Sequence, residues 1–107
     1  MAQSVILAFV NLGREHAFVS ATDADGVPQL VAALGVGQST RQYAPVGSTW
    51  SVVAQDTFQL TAGDKNRVYL IGSSGMYEVE SARGLKPESG AAPADLDLPA
   101  FGGSGWP

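Results

Sequence analysis

The sequence predicts an all-β protein, an antiparallel β-sandwich of seven to eight short strands followed by an irregular C-terminal tail. Three observations carry this expectation. Short apolar and β-branched runs recur, separated by Gly, Pro, Asn or Asp turns at roughly eight- to twelve-residue spacing. No segment shows the 3.6-residue apolar period of an amphipathic helix. The chain has 107 residues and no Cys, which suits one domain with a single core and no disulfides.

Taken in order, Ser4–Asn11 is apolar on both parities, as in a strand buried on both faces. Leu12–Glu15 turns. His16–Asp23 reads as a second strand, and Gln29–Leu34 as a third. The Asp23-Ala24-Asp25-Gly26 turn between them makes a hairpin, with Gly26 free to take positive φ. Gly35 and Gly37 interrupt the run before Ser39–Ala44, whose mixed polarity predicts one wet face. Pro45-Val46-Gly47 then turns the chain into Thr49–Ala54. A period of two places Trp50 and Val52 of that strand towards the core. Thr57–Thr61 is short, with Phe58 and Leu60 inward; Arg67–Ile71 and Met76–Glu80 follow. Glu78 and Glu80 are expected outward on an edge, where charge hinders edge-to-edge aggregation.

Composition changes near residue 82. Residues 1–75 carry five acids (Glu15, Asp23, Asp25, Asp56, Asp64) against four bases (Arg14, Arg41, Lys65, Arg67), a net of −1. Residues 76–107 carry five (Glu78, Glu80, Glu88, Asp95, Asp97) against two (Arg83, Lys86), a net of −3. Four of the six prolines lie at Pro87 or later. We therefore expect a sandwich domain over residues 1–82 and a Pro/Gly-rich acidic tail over 83–107. Leu96, Leu98, Phe101 and Trp106 are apolar enough for that tail to dock on the sandwich or on a neighbouring chain, which would make a homo-oligomer.

The net charge of −4 opposes electrostatic capture of nucleic acid or an anionic membrane. No stretch approaches the ~18 apolar residues of a membrane helix. No basic region precedes Ser4–Val10 and no small-residue cleavage site follows it, so no signal peptide is visible. With no Cys, the chain fits a reducing compartment, and the cytoplasm is favoured. Catalytic chemistry finds no motif. There is no Gly-x-Ser-x-Gly elbow, dinucleotide fingerprint or phosphate loop. His16 is the single His, with neither Cys nor a second His to complete a metal site. Asp23 and Asp25 are explained by turn chemistry, and neither they nor Asp95 and Asp97 supply the ligand count of a calcium loop. The expectation is a protein that is not an enzyme and uses no cofactor or metal.

The landmarks Phe9-x-Asn11, Asp25-Gly26-x-Pro28-Gln29, Leu34-x-x-Gly37, Arg41 and Gly47-x-x-Trp50 stand in order without a gap. Over this stretch, about 40% of the chain, the sequence resembles the β-domain of the von Hippel–Lindau (VHL) tumour suppressor family. The resemblance implies a prealbumin-like sandwich with one four-stranded and one three-stranded sheet. It further implies an extended peptide bound beside the Trp-bearing strand, with Trp50 as a wall of the pocket. The other pocket positions of the family fall at Val31, where the family has Tyr, at Ala44, where it has Ser, and at Ser48, where it has His. Val31 and Ala44 supply no hydroxyl partner, and each missing buried hydrogen bond costs roughly 1–3 kcal/mol. An extended peptide is therefore the expected ligand and hydroxyproline is not. The family's helical, ubiquitin-ligase-recruiting domain has no counterpart here.

Two functional classes follow. One is a binding module for a peptide or protein segment laid along a sheet edge near Arg41–Ala44, with Val31, Arg41, Tyr43, Ala44, Ser48 and Trp50 as candidate contacts. The other is a small carbohydrate-binding, lectin-like or defence protein using aromatic stacking, with oligomerisation for avidity. Beside both stands the plainer expectation that Trp50 belongs to the core and that Arg41 and Tyr43 form a solvated strand face.

Overall fold

A computed structural model describes residues 3–79. They form β1 (Ser4–Asn11), β2 (Ala17–Thr22), β3 (Pro28–Leu34), β4 (Ser39–Pro45), β5 (Thr49–Val53), β6 (Thr57–Thr61), β7 (Arg67–Gly72) and β8 (Gly75–Val79). Every strand falls within one residue of the run expected for it. The strands make two four-stranded sheets, ordered β4-β1-β7-β8 and β3-β2-β5-β6, packed face to face. The expected tail over 83–107 lies outside the described residues.

The pairing adds two details to the expected sandwich. Five of the six strand pairs are antiparallel, but β1 runs parallel to β7, with Leu7 opposite Arg67 and Asn11 opposite Ile71. No hairpin links these two strands, so local turn geometry does not fix their direction. The four-and-three arrangement implied by the resemblance is also exceeded, because the β7–β8 hairpin adds β8 to the β1 sheet.

The chain alternates between layers. The β2–β3, β5–β6 and β7–β8 pairs are hairpins within a sheet, whereas β4 enters the β1 sheet from β3 and leaves it for β5. The turn at Pro45–Ser48 therefore joins opposite layers. Ser48 donates its N–H to Pro45 O at 3.0 Å, and Gly47, in the third position, has φ 89°. Gly37 plays the same part between β3 and β4, with φ 83° and a Gln38 N to Gly35 O bond of 3.0 Å. Both are turns in which a side chain at that position is strained.

Alternation along β1 sends Val5, Leu7 and Phe9 to the interface between sheets and Ile6, Ala8 and Val10 to the other side. Phe9 is the centre of the interface. Its ring stacks on Trp50 of β5, 6.1 Å between centroids, and on Tyr69 of β7 at 5.6 Å. Val19, Val52, Leu34 and Ile71 close around them. Where β1 begins, Asn66 Oδ1 accepts from Ile6 N at 2.8 Å, just before the parallel ladder starts.

Glu78 is exposed, as expected, but its parity is the inner one. It lies opposite Tyr69, beside Met76, at the rim where the core ends, and pairs with Arg67. Edge position supplies the exposure that the outward face was expected to give.

At the far end of β1 the buried Asn11 side chain ties three segments, its own strand, the turn that follows it and the end of β3. Its Nδ2 donates to Glu15 O at 2.8 Å and Leu34 O at 3.0 Å, and its Oδ1 accepts from Gly13 N at 3.1 Å. Its backbone adds bonds to Gln38 O and from Gly37 N. Asn11→Ala strands two carbonyls and one N–H, of which the Leu34 carbonyl and the Gly13 N–H are buried. We expect a loss of about 3 kcal/mol, read as a lower denaturant midpoint at unchanged slope. A loss below about 1 kcal/mol would show that the tie is dispensable.

Candidate functional site: the open edge between β3 and β4

Among the described residues, β3 and β4 each pair on one side only, β3 with β2 and β4 with β1. Every second N–H and C=O of such a strand points away from its neighbour and is available to a further strand. The two edges lie on the same side of the sandwich, joined by the Gly35–Gln38 turn. Between them runs an open groove of about 590 Å³, lined by Ala32, Ala33, Leu34, Gly37, Gln38, Ser39 and Thr40. Five of these seven residues are small, Ala32, Ala33, Gly37, Ser39 and Thr40, so an incoming backbone can approach closely beside them.

Local sequence shapes both edges. Pro28 opens β3, and the first residue of an edge strand is a position where the missing N–H costs the ladder nothing. The β2–β3 register shifts between Val19, opposite Ala32, and Ser20, opposite Leu30. Val31 is thus the extra residue of a bulge, half-exposed beside the exposed Leu30. The hairpin holding β3 is fixed by Asp23, whose Oδ1 accepts from Asp25 N and Val27 N, both at 2.9 Å, and whose Oδ2 accepts from Gln29 Nε2 at 3.1 Å. The Val27 N–H, foremost among these partners, holds the Asp23 carboxyl below its ordinary value of 3.8.

The six sequence-derived site residues fall into four places. Trp50 is 2% exposed and Ala44 is fully buried, both in the central cluster with Phe9. Neither side chain is presented at the surface, in keeping with the plainer expectation that Trp50 belongs to the core. Ser48 is turned inward to serve Trp50: the indole Nε1 donates to Ser48 Oγ at 2.9 Å, and that hydroxyl donates to Pro45 O at 2.6 Å. Arg41 and Tyr43, opposite Ala8 and Ile6, face away from the core, with Tyr43 70% exposed. Val31 belongs to the other sheet's edge. None of the six is among the residues that line the groove: Arg41 and Tyr43 lie on the outer side of β4 and Val31 on the edge strand β3, while Ala44 and Trp50 belong to the core and Ser48 is bonded to Trp50.

Residues that the sequence reading did not single out, Ala32 to Leu34 with Ser39 and Thr40, line the groove itself. Pro28 and the adjacent apolar pair Leu30 and Val31 were the signals of an irregular edge there. His16 is exposed, its ring 6.4 Å from that of Phe18. Among the described residues, no group of three or more His, Cys, Asp or Glu is placed to hold a metal ion, and no helix is long and apolar enough to cross a membrane.

No family model matches the chain, and no curated protein matches it. A solved structure described as "Trapped Toxin" aligns over 73% of this chain at 13% identity, with a TM-score of 0.39. The chain spans 23% of that structure's length.

Two outcomes follow from this geometry. Ser48→Ala removes the acceptor of a buried indole N–H and should cost about 1–2 kcal/mol, whereas Ser48→Thr, which keeps the hydroxyl, should cost less; equal losses would refute the indole link. A depressed carboxyl stabilises the fold above its unfolded-state pKa, and the contribution disappears as pH falls through the folded value. The Asp25 and Val27 amide shifts should therefore titrate with a midpoint below 3.8. A midpoint at or above that value would remove Asp23 as the anchor of the hairpin.

Proposed function

We propose that this protein is a non-catalytic binding module that takes an extended peptide or protein segment along the β3–β4 edge. The observation that carries the reading is the pair of adjacent open edges with a small-residue groove between them. Main-chain pairing with β4 supplies affinity that is independent of sequence. Because side chains alternate along an added strand, every second one enters the groove beside Ala32 and Leu34. The others lie on the opposite face, beside Arg41 and the exposed Tyr43 ring. Selectivity then comes from small or apolar residues at groove positions and from an aromatic or acidic residue against Tyr43 and Arg41.

The resemblance to the VHL β-domain family supports an extended peptide as ligand. The interior position of Trp50 moves the recognition surface outward, onto β4 and the groove. Hydroxyproline is not the preferred ligand, since Ala44 and Val31 offer no hydroxyl and Ser48 is engaged with Trp50. The carbohydrate reading loses Trp50 as a stacking platform and has no built site in its favour.

The test is selection of linear peptides from a displayed library on the whole chain, followed by amide NMR titration with the selected sequence, a hydroxyproline peptide and a panel of simple sugars. Shifts should concentrate on residues 30–45, and Tyr43→Ala should weaken binding about tenfold, the loss of one well-packed aromatic contact. Shifts centred on Phe18 and Val53 with sugars alone would transfer the function to the carbohydrate class.

A further inference from the structure

The four outermost strands are not protected alike. An open strand edge invites pairing with another chain, and charge, Pro or a bulge blunts it. β3 has Pro28 and the bulge at Val31. β4 has Arg41 and ends on Pro45. β8 has Glu78, paired with Arg67. β6, Thr57-Phe58-Gln59-Leu60-Thr61, has none of these, and its register with β5 runs unbroken along its whole length. Among the described residues it pairs with β5 alone.

The ends of the β5–β6 ladder fix which backbone groups face the open side. Ala62 N–H donates to Ser48 O at 2.8 Å and Ala54 N–H to Asp56 O at 2.9 Å, each one residue beyond the paired strands. Opposed residues of an antiparallel ladder are bonded at every second pair. Between those two ends the bonded pairs are therefore Trp50 with Leu60 and Val52 with Phe58. The N–H and C=O groups of Thr57, Gln59 and Thr61 point the other way, out of the sheet edge.

We infer that β6 pairs with β6 of a second copy of this chain, antiparallel about a two-fold axis at Gln59, joining the two β2 sheets into one continuous sheet. The occupant follows from the strand's own sequence, which reads nearly the same in both directions. Reversed against itself about Gln59, Thr57 meets Thr61, Phe58 meets Leu60 and Gln59 meets Gln59 of the other copy. A two-fold interface demands such self-complementarity, because each patch meets itself. Hydroxyls stand opposite hydroxyls on the exposed side, and no like charges oppose one another. On the inner side the half-buried Phe58 and Leu60 carry the apolar layer across the seam, beside the core that Leu60 already touches. Every outward N–H and C=O of Thr57, Gln59 and Thr61 finds a partner in this register. The next register with the same bonding phase, two residues away, leaves Thr57 or Thr61 outside the pairing. β6 is at the opposite edge of its sheet from β3, so the groove stays open in both copies. A strand of five residues makes a small seam, and association is reversible and set by concentration.

The test uses the full chain. Sedimentation from ~10 µM to ~1 mM should show the mass rising from one chain towards two. Across that range hydrogen exchange at the Thr57, Gln59 and Thr61 amides should slow about tenfold, while the Phe58 and Leu60 amides, already bonded to β5, change little. Gln59 faces outward, where the fold tolerates a charge. Gln59→Lys and Gln59→Glu should each weaken self-association about tenfold by setting like charges across the axis, and mixing the two variant chains should restore it. A single-chain mass at every concentration would overturn the proposal. So would a dimer indifferent to both Gln59 variants, or one whose concentration-dependent protection falls on Ser39 and Tyr43 of β4. If a Gln59 variant fails to fold, the exchange pattern of the unmodified chain decides.

Discussion

The buried side chain of Asn11 is the constraint on which the arrangement of this sandwich depends. The chain changes sheets twice at the same end, from β1 to β2 and from β3 to β4. Each crossing leaves backbone groups with no ladder partner, and burying them unpaired is costly. One primary amide answers three of them, holding the Glu15 and Leu34 carbonyls and the Gly13 N–H. Space there is tight as well, since a Cβ on Gly13 would stand 3.3 Å from the backbone of Gly72 and Ser73. The tie sets where β2 begins and where β3 ends, and hence where β4 can enter the other sheet. The geometry of the β3–β4 edge follows from it.

Within that frame the aromatic residues are divided by role. Phe9, Trp50 and Tyr69 stack through the interface and bind the layers together. The polar edge of Trp50 is satisfied locally, through Ser48 and Pro45, so the largest side chain in the core leaves no unpaired group. Burial of the Tyr69 ring, aided by the Glu78 carboxylate, pushes its hydroxyl above the ordinary value of 10.0, so it stays neutral at physiological pH. Tyr43, by contrast, sits on an edge strand with most of its surface in water. Recognition at the β4 edge therefore needs no disturbance of the core.

The molecule also treats its surfaces unequally. The outer face of the β2 sheet mixes Phe18, Val53 and Leu30 with Ser20, Ser51 and Thr residues and is left to solvent. The outer face of the β1 sheet is apolar and buried at its centre. A strand buried on both faces must be apolar on both parities, and β1 is. The opposite ends of the core are set by which strands lie outermost: β3 and β4 on one side, β6 and β8 on the other.

Much of this was written in local sequence. The β-branched runs and the Gly, Pro and Asp turns located all eight strands, because alternation and turn chemistry act over a few residues. The inward parity of Trp50, Val52, Phe58 and Leu60 was legible for the same reason, and so was the double-sided burial of β1. Pairing was not legible. That β1 lies between β4 and β7, parallel to the latter, depends on contacts about thirty to forty residues apart in sequence for β4 and sixty for β7. That Glu78 faces Tyr69 depends on the β7–β8 register. That Val31, Arg41 and Tyr43 come to the open edge while Ala44, Ser48 and Trp50 stay behind it depends on which sheet each strand joins. A strand's own residues state that it has an inside and an outside. Only the assembled layers decide what lies on either side, because the free energy that selects the partners comes from burying apolar surface between segments distant in the chain.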